Sequence, residues 1–214
     1  MTATLVIGTH NRKKGREIAQ ILETPGLRLL TLDDFPGAPE PVEDADTFEG
    51  NAIKKATELA DALGTTVTAD DSGLEVDALG GKPGVHSARY GGEHGNDARN
   101  IERLLREMKD VPPEKRAARF RTVAAVAAPG KLLLTVEGTL EGTIALDPRG
   151  SNGFGYDPVF IVPGLGKTCA LQGATCAELE PEEKNNISHR GQAFRKLKDE
   201  LPRLLSLAAG KEQE

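Results

Sequence analysis

Asp70 and Asp71 stand directly after the apolar run Thr66-Val67-Thr68-Ala69, and Ser72 and Gly73 follow them. Two carboxylates, a hydroxyl and a glycine at the end of a strand can hold a hard cation beside a phosphate. Mg2+ takes oxygen donors, usually one or two carboxylates completed by water and substrate phosphates. The same residue types also make an ordinary solvated turn, so this stretch needs company before it means chemistry. Glu43 is the candidate carboxylate partner of Asp71, with Asp70 and Glu49 as further acids. Side chains alternate along a strand, which predicts that Asp70 and Asp71 point to opposite faces. One would then face a ligand and the other would serve structure. A carboxylate beside a metal-bound phosphate can also orient or deprotonate an attacking water.

Three other clusters could act on a phosphorylated ligand. Thr9, Asn11, Lys13 and Lys14 fall where a first strand turns into a first helix, with His10 and Arg12 between them. Open N–H groups at a helix start bind anions, and a lysine one turn in adds a point charge. The run Gly153-Phe154-Gly155-Tyr156-Asp157 interleaves aromatics with glycines and ends in an acid. An aromatic face lets a flat base stack, and glycine lets it approach the backbone closely. Lys184, Ser188, His189 and Arg190 gather cationic donors near a predicted helix start, which suits a phosphate or a keto oxygen.

The elements that must position these residues can be read from periodicity. Leu5-Val6-Ile7 is a buried first strand, and Asn11 caps a helix to about Leu22. Leu27–Leu32 is a second strand, followed by an acidic, proline-rich loop from Asp33 to Asp46. Thr47 caps a helix to about Leu63, whose apolar stripe is Phe48, Ala52, Ala56, Leu59 and Leu63. The strand into Asp70-Asp71 comes next. A helix spans Asn96 to Met108. Ala117–Ala128 and Lys131–Ile144 are long strands joined at Pro129-Gly130 as a hairpin. Val159–Val162 is a further strand, and a helix from about Ser188 to Ala209 is interrupted or restarted near Pro202. Strands and helices that alternate early and then give way to a hairpin predict an α/β domain with a mixed sheet.

Composition sets the outer limits. A chain of 214 residues suits a single domain, or one domain with two lobes. With aromatics at 4% and no Trp, the core must rest on Leu, Val, Ile and Ala. A net charge of -6 argues against a protein that coats nucleic acid. Cys169 and Cys176 are the only cysteines, so the chain is no disulfide scaffold and a reducing, cytoplasmic setting is expected. No apolar run approaches a membrane span, and the short run Thr4–Gly8 precedes Arg12, Lys13 and Lys14 in the wrong order for a signal peptide.

Taken in order, Thr9, Asn11 and Lys14, then Asp70-Asp71-Ser72-Gly73-Leu74, then Gly80-Gly81-Lys82-Pro83-Gly84 with Ser87-Ala88-Arg89-Tyr90, then Phe154-Gly155-Tyr156-Asp157, then Ser188-His189-Arg190-Gly191 form a distinctive series. From about residue 4 to residue 205 the chain resembles the inosine/xanthosine triphosphate pyrophosphatase family. The resemblance implies a single domain over 1–214, a mixed elongated sheet flanked by helices, and two lobes with a central active-site cleft. It implies water attack at the α-phosphorus of ITP, dITP or XTP, giving the monophosphate and pyrophosphate, with Mg2+ as cofactor and a homodimer as the assembly. Thr9, Asn11 and Lys14 would cradle the triphosphate, with His10, Arg12 and Lys13 beside them. Asp71 would bind the metal and act as the general base, and Glu43 would be a further metal ligand. Ser72 would touch the phosphates, while Phe154, Gly155, Tyr156 and Asp157 would wall the base and sugar. Lys184, His189 and Arg190 would read the purine and its phosphates.

The chain departs from relatives at His10, where Gly is frequent, and in the extra segment Cys169–Thr175, which bears on the placement of Lys184. An aromatic wall alone does not separate purine from pyrimidine triphosphates. A nucleotide sensor without turnover would have no need of the Asp71 and Glu43 carboxylates.

Overall fold

The computed structural model describes residues 3–166 and 173–208. Its strands are β1 (Ala3–Ile7), β2 (Leu27–Thr31), β3 (Val67–Val76), β4 (Ala117–Ala128), β5 (Lys131–Ile144), β6 (Phe160–Gly166) and β7 (Gly173–Thr175). They form one sheet in the order β2-β1-β3-β4-β5-β6-β7. β1 is parallel to both β2 and β3, whereas β6 is antiparallel to β5 and β7, so the sheet is mixed. The helices are α1 (Arg12–Leu22), α2 (Phe48–Leu63), α3 (Asp97–Glu107), α4 (Pro181–Ile187) and α5 (His189–Ala208).

The chain divides into two compact units. The first takes the residues up to Asp71, Thr122–Gly138 and those from Arg190 onward; the second takes Ser72–Arg121 and Thr139–His189.

In the first unit the chain runs β1-α1-β2 to one side of β1, then β2-α2-β3 to the other. Right-handed crossovers in opposite directions put the two helices on opposite faces of the sheet. The side chains agree. Leu5 and Ile7 pack with Ile18 and Leu22 of α1 and with Phe194, Leu197 and Leu201 of α5. On the other face, a Cβ at Gly8 would lie 2.8 Å from Leu59 of α2 and 3.0 Å from Val67. Only glycine lets the end of β1 pass this close to α2. Burial of such side chains contributes roughly 1.5–3 kcal/mol each, and α2 follows the expected stripe, with Phe48, Ala52, Ala56 and Leu59 buried.

The second unit has its own core, built from Leu74 and Val76, Leu104 of α3 and Met108 at its C-terminal cap, Phe120, Ile144, Phe160 and Leu179.

Two helices differ from the sequence reading, and β7 is a short strand in a stretch it took as a loop. α4 is a separate helix that the sequence reading did not include. Pro181 opens it, and Glu180 and Glu183 close a reciprocal capping box. α5 runs through Pro202 without a restart. Pro202 lies on the exposed side, while Leu201 and Leu204 are buried against the unit's core and hold the helix over the missing N–H. Cys169 lies outside the described residues; Cys176 is buried.

Candidate active site

Parallel strands whose order reverses about a central strand leave a crevice beyond their carboxyl ends, where ligands bind in open α/β sheets. In the first unit that reversal falls between β1 and β3, which pair at Val6–Val67 and Ile7–Thr68. β1 ends there, the turn Gly8–Asn11 opens into α1, and β3 carries on through Asp70 and Asp71. Asn11 caps α1. Its Oδ1 accepts the N–H groups of Lys13 and Lys14 at 3.0 and 3.2 Å, and its own N–H donates to Thr9 Oγ1 at 3.2 Å. His10, Asn11, Arg12 and Lys13 are exposed, whereas Thr9 and Lys14 are half-buried. Arg12 pairs with Asp33 at 3.6 Å on the surface.

Four carboxylates and three cations gather here, and the alternation of β3 divides Asp70 from Asp71. Asp70 faces α1 and α5: Lys14 Nζ lies 3.3 Å from its Oδ2 and Arg190 Nη2 3.5 Å. Arg190 Nη1 donates in turn to Glu17 of α1 at 2.7 Å. Asp71 faces α2: Asn51 Nδ2 donates to its Oδ2 at 2.9 Å, and Lys55 Nζ lies 3.9 Å from its Oδ1. The same Lys55 ammonium donates to Glu43 Oε1 at 2.6 Å. The acidic loop and the middle of β3 therefore converge on one cation.

Burial sets the electrostatics here. It holds the Asp71 carboxyl above its ordinary range, against the pull of Lys55 and Lys14. Burial also pushes Glu43 up, but the charge and hydrogen bond of Lys55 outweigh it, and that carboxyl falls below its ordinary range. Lys14 is lowered by burial in spite of Asp70. Lys55 suffers the same burial, yet Asp71, Asp70 and Glu43 together hold it above its usual value.

The donor set has a bearing on metal. Glu43 and Asp71 present carboxylate oxygens to one positive centre, now the Lys55 ammonium. Among the described residues there is no ready-made cage of three or more His, Cys, Asp or Glu side chains. Two hard oxygen donors without a full cage fit a cation whose remaining ligands are water and a bound phosphate chain, as Mg2+ prefers.

The second unit holds the aromatic cluster. Asp157 Oδ2 accepts from the Phe154 N–H at 2.8 Å and from Lys184 Nζ at 2.7 Å. Lys184 also lies 4.7 Å from the centre of the Phe154 ring, a cation–π contact that holds the ring from one side. Gly153 has φ +76°, and a Cβ there would fall 2.1 Å from Asp157 Oδ2, so the tight loop excludes any side chain. Asp97, at the start of α3, accepts the Gly155 N–H at 2.8 Å. Tyr156 is buried and donates to the Ser87 carbonyl at 2.9 Å. Ser87 Oγ accepts the Leu74 N–H at 2.9 Å and donates to the Gly84 carbonyl at 2.6 Å, which ties the glycine-rich turn to β3. His189 stacks on Phe120 with ring centres 4.8 Å apart, and Ser72 is half-buried in β3.

The residues named from the sequence thus fall into two sets. Lys14, Glu43, Asp70, Asp71 and Arg190 come together in the first unit; Phe154, Asp157 and Lys184 come together in the second. Arg190 has Asp70 and Glu17 as its ion-pair partners, while its neighbour His189 packs on Phe120. Lys184 reaches Asp157 from α4, downstream of the extra segment. The sequence reading missed Lys55, Asn51, Glu17 and Asp97. A signal for the first two was present: Asn51 and Lys55 are four apart, so they share a face of α2 beside its apolar stripe.

Comparison with known proteins bears on this arrangement. The Ham1 family model matches residues 5–200. A Geobacillus kaustophilus protein named dITP/XTP pyrophosphatase is 53% identical over 196 residues, covering 92% of this chain and 93% of the relative. A Geobacter sulfurreducens protein of the same name is 51% identical over 197 residues, covering 92% and 96%. Among solved structures, the Staphylococcus aureus Ham1 protein superposes with a TM-score of 0.81 at 39% identity, covering 94% of this chain and 98% of that one. By sequence and by fold, this chain belongs to the Ham1 family.

Proposed function

We propose that this protein hydrolyses deaminated purine nucleoside triphosphates (ITP, dITP and XTP) to the monophosphate and pyrophosphate. The observation that carries the reading is the placing of two adjacent carboxylates of β3, Asp70 on Lys14 of α1 and Asp71 with Glu43 on Lys55 of α2. The relatives' shared name, dITP/XTP pyrophosphatase, supports the substrate class.

Each step falls to named groups. The N–H groups at the start of α1, Thr9, Asn11 and Lys14 take the phosphate chain, with His10, Arg12, Lys13 and Ser72 as further contacts. Asp71 orients a water and accepts its proton as the oxygen attacks the α-phosphorus. The bond between that phosphorus and the bridging oxygen breaks, and pyrophosphate leaves. Mg2+, held by Asp71 and Glu43, is the proposed cofactor; it supplies positive charge to the phosphate oxygens when bound. Phe154 offers a ring face to the base, in a loop that Gly155, Tyr156, Asp157 and Lys184 hold rigid. His189 and Arg190 donate towards the 6-keto oxygen. Adenine carries an amino group there, and opposing two donors in a buried site rejects an analogue strongly.

Among the described residues no helix is long and apolar enough to cross a membrane. A homodimer is proposed on the resemblance and a cytoplasmic setting on the scarcity of cysteine, and sedimentation at micromolar concentration checks the assembly. The test of the activity is a product-resolved panel of ITP, dITP, XTP, dATP, dGTP and TTP with and without Mg2+. Monophosphate and pyrophosphate from the first three are expected. Orthophosphate as the only product, or equal turnover of dATP, sinks the reading.

A further inference from the structure

Asn51 is 1% exposed, and its amide is used at both ends. Oδ1 accepts the Ala45 N–H at 2.9 Å, and Nδ2 donates to the Ala45 carbonyl at 3.3 Å and to Asp71 Oδ2 at 2.9 Å. Ala45 lies two residues from Glu43 in the acidic loop, a long stretch without regular structure between Asp34 and Phe48. Such a loop has few ways to hold a fixed path. Asn51 supplies one by mimicking a backbone partner for Ala45, and it does so from α2, one helical turn before Lys55.

We propose that Asn51 is a positioning residue for hydrolysis: a strut that fixes the Glu43 segment and the Asp71 carboxylate relative to each other. The proposal rests on the reading of Asp71 and Glu43 given above. The geometry of the amide is what qualifies it. A carboxylate that must receive a proton from water needs its other oxygen held in place. The Nδ2 donor holds Oδ2 and leaves Oδ1 turned to the Lys55 side. An aspartate here would keep the acceptor for Ala45 but set a second carboxylate against Asp71. An alanine would release both ends at once. The cost of such misplacement falls on the chemical step, where a shift of about 1 Å can lower the rate on the order of 100-fold. Nucleotide binding, which depends on the start of α1 and on Phe154, is left in place.

The test compares wild type, Asn51→Ala, Asn51→Asp and, as a control on the same helix, Thr57→Val, which removes a hydroxyl that donates to the Ile53 and Lys54 carbonyls. Three quantities are read: kcat and KM for dITP per folded molecule, hydrogen exchange at the Ala45 amide, and melting temperature. For both Asn51 variants kcat is expected to fall on the order of 100-fold with KM little changed. Ala45 exchange accelerates in Asn51→Ala but stays closer to wild type in Asn51→Asp, which retains the acceptor. Thr57→Val keeps its kcat whatever it loses in stability. An unchanged kcat in Asn51→Ala, or a rise confined to KM, overturns the proposal. Unchanged exchange at Ala45 overturns the strut without reference to any substrate. A wild type that leaves dITP uncut rejects the reading of the reaction, and the kinetic assignment of Asn51 falls with it.

Discussion

Lys184 Nζ lies 2.7 Å from Asp157 Oδ2, and both side chains are almost wholly buried. A buried pair is weak as a source of stability but costly to break from one side, because the remaining charge has no water to return to. Lys184→Met and Asp157→Leu are each expected to destabilise the protein by about 3 kcal/mol, a drop of roughly 6–12 °C in melting temperature for a chain of this size. The double variant removes both charges and should regain much of that loss. It should not regain binding of the base, since the Phe154 loop loses the acceptor for its N–H and the cation beside its ring. Calorimetric melting and nucleotide titration on the three variants separate the two effects. A double variant less stable than either single one refutes the account.

Asp71→Asn keeps the size of the side chain and removes its capacity to take a proton. Loss of a general base lowers the rate about 100- to 10,000-fold. The variant should still bind dITP, because Thr9, Asn11 and Lys14 are untouched. Single-turnover kinetics with isothermal titration decides the matter. Turnover at the wild-type rate removes Asp71 from the chemistry, and equal inactivity of wild type and variant points to a binding protein.

Much of this arrangement was legible in the sequence, for reasons that differ by element. Asn11 and Thr47 were readable as helix caps because capping is local: an oxygen accepts from N–H groups two or three residues on, and both do so here. The hairpin Ala117–Ala128 and Lys131–Ile144 was readable because both strands and their Pro-Gly turn are contiguous. The division of Asp70 from Asp71 followed from strand alternation, and the opposite faces taken by α1 and α2 give each acid its own cations. What could not be read was partnership over long separations. Glu17 with Arg190, Asn51 with Asp71 and Asp97 with Gly155 are set by how helices cross the sheet or the loop, and no local pattern encodes that. Pro202 misled for a related reason: local propensity breaks a helix there, while the buried Leu201 and Leu204 keep it whole.

Tyr90 should give the protein an alkaline weakness. Burial, and then the hydrogen bond its hydroxyl donates to Glu107, push the phenol up to about 12. Unfolded, it would titrate near 10. The folded protein thus keeps a proton that the unfolded chain gives up. The resulting stability is complete below pH of about 10 and is lost as pH rises towards about 12. Urea unfolding across that window should show a steeper decline for wild type than for Tyr90→Phe, which has no proton to lose. Tyr156 is also held high, first by burial and then by the charge Tyr90 acquires, so the difference reads Tyr90 together with its coupling to Tyr156. Parallel pH profiles refute the assignment.

Arg116 makes a different demand on the same unit. It is 2% exposed, and its guanidinium donates to four carbonyls: Ile144 at 2.9 Å, Met108 at 2.7 Å, Val111 at 3.2 Å and Ala145 at 2.9 Å. The end of α3 and the end of β5 are pinned by one planar fork. Replacing it with Met fills the space of the stem but takes the guanidinium donors from all four carbonyls, of which that of Met108 keeps the Val111 N–H, at a cost of about 3 kcal/mol. Arg116→Lys should recover only part of this, because a single ammonium cannot span the positions that a guanidinium reaches. Both variants should hydrolyse dITP with a kcat per folded molecule close to wild type, since Arg116 touches neither the Asp70–Asp71 cluster nor the Phe154 loop. Urea midpoints and kcat measured on the same preparations test this together. A lysine variant as stable as wild type shows that charge alone suffices there, and a loss of kcat without a loss of stability shows that the fork reaches the site.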